Sequence, residues 1–166
     1  MPPHPAELGD GAGPLLPVVA FQHHVGPDGS GYPEGVGRPH PVSLLVGVCD
    51  VYDALRTARP YRGPLGPAEA VTILLDMARS GKLYPPYVGE LLRALGALGP
   101  GAAVTLCTGE VGEVEAPGED PLRPAIATGR GETLDLGSRR DLWICRVDRV
   151  APSCRDRGAD PPDNPR

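Results

Sequence analysis

The chain is poor in aromatic side chains, with one Phe, one Trp and five Tyr among 166 residues. Its core must therefore be built from Leu, Val and Ala rather than from large rings. The four cysteines, Cys49, Cys107, Cys145 and Cys154, lie far apart and form no CxxC pair. That spacing argues against a thiolate zinc site and offers no disulfide framework, so reduced, mostly buried thiols are expected. No apolar run approaches the roughly 18 residues that a membrane-spanning helix requires. The opening Met1-Pro2-Pro3-His4-Pro5 has neither the basic start nor the apolar stretch of a secretory signal, so a cytoplasmic location is expected. Basic charge is also in deficit: 16 Lys and Arg face 21 Asp and Glu, for a formal charge of -5. This argues against non-specific nucleic-acid binding, which needs a basic face to neutralise phosphates, so no DNA partner is expected.

What the chain has in excess is glycine and proline, 23 and 22 residues respectively. Such a share borders on the composition of low-complexity segments, but 40% of residues are hydrophobic and only 22% charged, which is not the profile of an unfolded chain. The distribution resolves the conflict. Gly and Pro crowd residues 1–17, 26–41 and 151–166, whereas residues 42–62 carry only Gly47 and Pro60, and residues 68–84 only Gly81.

Between these clusters the periodicity predicts four helices. Leu15–His24 is a short apolar stretch closed by Gly26-Pro27. Val42–Thr57 aligns Leu44, Val48, Val51 and Leu55; Pro67–Ser80 aligns Val71, Leu74, Leu75 and Ala78; Pro86–Leu95 aligns Val88, Leu91, Leu92 and Leu95. After Pro100 the texture changes to short apolar and β-branched runs: 104–107, 111–114, 125–127, 133–136 and 142–147, separated by turn clusters such as Pro117-Gly118-Glu119-Asp120-Pro121. The expected fold is mainly α. About four helices (15–99) are followed by a small antiparallel β extension (100–150), between segments 1–14 and 151–166 that are expected to be disordered.

Three clusters could carry chemistry. His23-His24 ends the first apolar helix; adjacent helical residues point about 100° apart, so both can serve one centre only at a helix end or beside two metals. Asp28-Gly29-Ser30-Gly31-Tyr32-Pro33 is a backbone-permissive loop around one aromatic, suited to a phosphate or a partner surface, or simply to a tight turn. Asp50-Val51-Tyr52-Asp53-Ala54-Leu55 places a carboxylate inside the most apolar helix, where burial would demand a metal or an arginine such as Arg56 or Arg59. Arg59-Pro60-Tyr61-Arg62 follows, with two guanidinium forks able to grip phosphate or to cap the helix.

The order and spacing of HH, DGSGYP, DVYDAL and RPYR closely resemble the C-terminal half of HD-GYP domains, a branch of the HD-type metal-dependent phosphohydrolases. The resemblance runs from about Leu16 to Val150 and includes TGEVGEV and EDPLRP, similar to the β-extension that often follows such domains. It implies a helical, HD-type metal-dependent enzyme that hydrolyses cyclic di-GMP with iron or manganese. His23, His24 and Asp50 would be metal ligands, and Arg59 and Arg62 would contact phosphate. Gly31-Tyr32-Pro33 would be the signature loop for substrate and for docking a signalling protein.

The sequence also departs from that pattern. Val25-Gly26 stands where the family has Glu-Arg after its paired histidines, and Pro27 replaces a large residue before Asp28. The name-giving His-Asp pair has no counterpart among the 22 residues before His23, which offer only His4, Glu7 and Asp10 in a Pro/Gly-rich setting. The expectation is an incomplete domain with weak or no turnover. The alternative is a non-catalytic cyclic di-GMP signalling or protein-interaction module that uses the GYP loop.

Overall fold

The computed structural model describes residues 15–61 and 63–152. Three of the helices start on proline. Helix α2 (Pro41–Arg56), α3 (Pro67–Arg79) and α4 (Pro85–Leu95) each carry Pro in the first turn, where its missing N–H is no loss. At α2 the His40 side chain adds a cap, its Nδ1 accepting the Val42 N–H at 3.2 Å. Helix α1 (Leu15–Gln22) is shorter than expected; His23 and His24 lie in the turn beyond it.

Five antiparallel strands follow: β1 (Ala103–Leu106), β2 (Val111–Ala116), β3 (Ala125–Thr128), β4 (Thr133–Asp135) and β5 (Ile144–Arg149). They form one sheet in the order β4-β3-β2-β1-β5. Strand burial alternates as a half-buried sheet requires: Val104 and Leu106 on β1, and Ile126 on β3, face inward.

The mainly α expectation is therefore corrected to a mixed α/β fold. The short runs after Pro100 do not form a minor appendage. Val104, Ile126, Leu136 and Val147 from the sheet region join Val48, Leu74 and Leu92 from the helices in a single apolar core. Weighing the helices by their stronger periodicity understated the sheet, whose period-2 signal is spread over strands of three to six residues.

One side chain joins the two layers. The Thr72 hydroxyl donates to the Ala68 carbonyl within α3 and accepts the N–H of Val147 on the edge strand β5, both at 2.9 Å. Helix α3 thus covers a sheet edge that would otherwise expose unpaired backbone groups. Arg123 closes the far side, its guanidinium donating to the carbonyls of Leu136, Arg139 and Leu142. Ala151 is buried and its N–H donates to the Ala97 carbonyl. The segment 1–14, expected to be disordered, lies outside the described residues, as does all but Ala151 and Pro152 of the expected disordered tail 151–166. Among the described residues the thiols are free but not buried: Cys49 is exposed, Cys107 and Cys145 intermediate, and Cys154 is not described.

Candidate metal centre

The turn after α1 is shaped by backbone pairing. The His23 N–H donates to Val19, the Val25 N–H to Gln22, and Val25 pairs antiparallel with Gly31 across the GYP loop. Val25 is only 3% exposed, so it anchors the turn while its neighbour His24 stays at the surface. At the other end of the loop, Gln22 Oε1 accepts the His40 N–H at 2.8 Å and the hydroxyl of buried Ser43 at 3.3 Å. This ties the end of α1 to the first turn of α2.

That junction brings His23, His24 and Asp50 together, with one ligand atom from each lying within 4.8 Å of the others. The two imidazoles lie 4.0 Å apart, centroid to centroid. His23 Nδ1 faces the carbonyl oxygens of Val19 and Ala20 at 3.2 and 3.0 Å. A carbonyl can only accept, so these contacts suit the tautomer with its proton on Nδ1, which leaves Nε2 as the ring nitrogen available to a ligand. A histidine so tied to backbone is oriented as metal-binding histidines are. Two imidazoles and a carboxylate also suit a divalent first-row ion. The residues present fit one such ion.

The burial argument for Asp50 is corrected. Asp50 is exposed, because it lies beside rather than on the buried face of α2. Among the described residues no ion pair engages it; Arg56 instead donates to the Leu65 carbonyl. What singles out Asp50 is its place beside the histidines, not the cost of burying it.

The remaining residues singled out in the sequence are placed less centrally. Gly31 packs against the His24 backbone, while Tyr32, 75% exposed, and Pro33 project on the loop, joined by a cis peptide. Arg59 is exposed beyond the end of α2 and does not line the cleft beside the histidines. Arg62 lies outside the described residues. Asp28 serves the loop itself. The hydroxyl and N–H of Ser30 donate to its carboxylate and hold its carboxyl below the usual range.

Sequence reasoning missed Lys82 and Tyr84. Both line a cleft of about 130 Å³ beside His23 and His24, reached from the turn between α3 and α4. No local spacing could have linked them to the histidines, since only the packing of α2 on α3 and α4 brings the segments together. Gly47 was passed over for the same reason.

A cyclic di-GMP phosphodiesterase of Pseudomonas aeruginosa is 36% identical over 116 residues, covering 68% of this chain and 27% of that protein. A cyclic di-GMP phosphodiesterase of Thermotoga maritima is 45% identical over 74 residues, 43% of this chain and 20% of its own length. The cyclic di-GMP phosphodiesterase response regulator RpfG of Xanthomonas campestris is 43% identical over 79 residues, 46% of this chain and 20% of its own. The chain carries a partial HD-GYP-type domain. It spans about a quarter or less of the length of these relatives. No family model and no solved structure matches it. This HD-GYP-type domain has no helix, among the described residues, long and apolar enough to cross a membrane.

Proposed function

We propose that this chain is part of a metal-dependent phosphohydrolase acting on cyclic di-GMP or a related cyclic dinucleotide. His23, His24 and Asp50 hold the metal, iron or manganese. The observation that carries this reading is the meeting of their three ligand atoms, with His23 Nδ1 facing two backbone carbonyls. A divalent ion held there supplies Lewis-acid polarisation of a phosphoryl oxygen.

The chain's own residues do the rest. Arg59, exposed beyond the end of α2, and Arg62 next along the RPYR segment are the cations proposed for phosphate, because a guanidinium fork matches non-bridging oxygens by bidentate hydrogen bonding. The exposed ring of Tyr32 offers a stacking face to a purine base, and Gly31 and Pro33 hold it out from the loop. With His23 Nδ1 engaged by the Val19 and Ala20 carbonyls, Nε2 is the atom it offers to the metal.

A second reading has its own support. His24 and Asp50 are exposed, and Val25-Gly26 brings neither carboxylate nor cation to the centre. A site so open to water gains little from electrostatic preorganisation. That favours a module that binds the nucleotide, or a signalling protein through the GYP loop, with weak turnover or none.

The test is hydrolysis of cyclic di-GMP and of bis-p-nitrophenyl phosphate by the purified chain with Mn²⁺ or Fe²⁺, alongside the His23→Ala, His24→Ala double variant. Turnover lost in the double variant supports the enzyme. Calorimetric nucleotide binding without turnover above that control supports the binding module, and neither signal defeats both.

A further inference from the structure

Gly47 is an unexpected residue at its position. It lies buried inside the 16-residue helix α2, where glycine is a poorer helix former than alanine. Its backbone dihedrals are helical, so no turn demands glycine. What demands it is the His23 carbonyl oxygen, which any Cβ at Gly47 would meet well inside van der Waals contact. Asp50 lies three residues on, about one turn along α2 and beside its buried face. The atom that a methyl group at Gly47 would push away thus belongs to one proposed ligand, while Asp50, another, stays with the helix.

Gly31 repeats the arrangement from the opposite side. It has φ 107°, and a Cβ there would collide with the His24 carbonyl oxygen across the Val25–Gly31 pairing. The backbones of the two adjacent histidines are therefore each pressed against a glycine, one from α2 and one from the GYP loop.

We propose that Gly47 and Gly31 are positioning residues of the metal centre. They clamp the His23-His24 backbone at the one separation from α2 that keeps both imidazoles within reach of Asp50. A methyl group at either position displaces a histidine carbonyl by on the order of 1 Å, the shortfall from ordinary contact distance. A three-ligand set loosened by that amount no longer converges on one ion. The glycine of the GYP triplet thus acts on the metal ligands, whatever the loop does at its exposed face. This inference rests on the metal-centre reading above.

The experiment titrates the full chain with Mn²⁺ alone by calorimetry, and follows the ligand-field spectrum with Co²⁺. The forms compared are wild type, Gly47→Ala, Gly31→Ala, His23→Ala and Gly129→Ala, the last a glycine with open space around it. Gly47→Ala and Gly31→Ala are expected to weaken Mn²⁺ binding about 10–100-fold and to alter the Co²⁺ spectrum, while helical circular dichroism is retained and Gly129→Ala matches wild type. A merely structural role would lower the thermal midpoint and leave Mn²⁺ affinity unchanged; that result overturns the proposal. Should Gly47→Ala fail to fold, Gly31→Ala on its exposed loop provides the same readout, and wild-type affinity there is equally fatal. Wild type and His23→Ala titrating alike would instead overturn the metal centre itself, and the clamp with it.

Discussion

The two halves of this molecule are held together by different means. Around α3, α4 and the sheet, order comes from apolar side chains: Val71, Leu74, Val88, Leu92, Val104 and Ile126 are all at most 1% exposed. Around α1 and the GYP loop, order comes from the backbone. Helix α1 buries none of its residues, and Leu16, Val18 and Phe21 face outward. Its position is set by Gln22, by the Val25–Gly31 pairing and by glycines that let chains approach. The lesson is that the half carrying His23, His24 and Asp50 contributes little to stability. It places these candidate ligands at the surface of a core built elsewhere, as is common where polar side chains gather at a surface.

This contrast can be broken most directly by paired truncations. Leu74→Ala in the core should cost about 2–5 kcal/mol in denaturant unfolding, through lost burial and the cavity left behind. Phe21→Ser, at a position 60% exposed, should stay within about 0.5 kcal/mol. Comparable losses at the two positions would mean that α1 is buried in solution, and the contrast would fall.

A smaller effect tests whether the sheet half also depends on polar staples. Arg123→Ala removes three hydrogen bonds to carbonyls in the segment after β4, and should destabilise by on the order of 1.5–3 kcal/mol. Faster amide hydrogen exchange should be confined to residues 136–142. Uniform acceleration across the sheet would show that Arg123 supports the whole core rather than one loop.

The smallest effect is one of pH. The Asp28 carboxyl is held below its ordinary value by the Ser30 hydroxyl first and the Ser30 N–H second. A lowered folded value means that this contribution is complete above the ordinary carboxylate pKa of about 4, and is lost as pH falls through the lower folded value. In Ser30→Ala the Asp28 carboxyl resonance should titrate at higher pH than in wild type, with Mn²⁺ affinity little changed. An unchanged titration would show that the loop does not hold this turn in solution.

Much of the architecture was legible because local signals agreed. Pro at residues 41, 67 and 85 opens three helices, and the stripe Val71, Leu74, Leu75 and Ala78 predicted along α3 is the buried one. All five expected strand runs overlap strands, although the last begins at Ile144 rather than Leu142. The fold class was not legible, because short strands declare themselves weakly and their share of the core depends on how they stack. At the site, His23, His24 and Asp50 could be named from motif order. Their convergence depends on the crossing of α1 and α2, which no local spacing encodes.

The sequence by itself determined the punctuation of the chain, the apolar faces and the types of donor available for a metal, since these depend on neighbours within a few residues. Only the tertiary structure decided that the sheet shares the helical core, that Asp50 stands exposed beside two histidines, and that Lys82 and Tyr84 line the same cleft. It also decided why residue 47 is glycine. The reason is physical: a side chain that is absent has no pattern to read, and its purpose shows only in the atom that occupies its space.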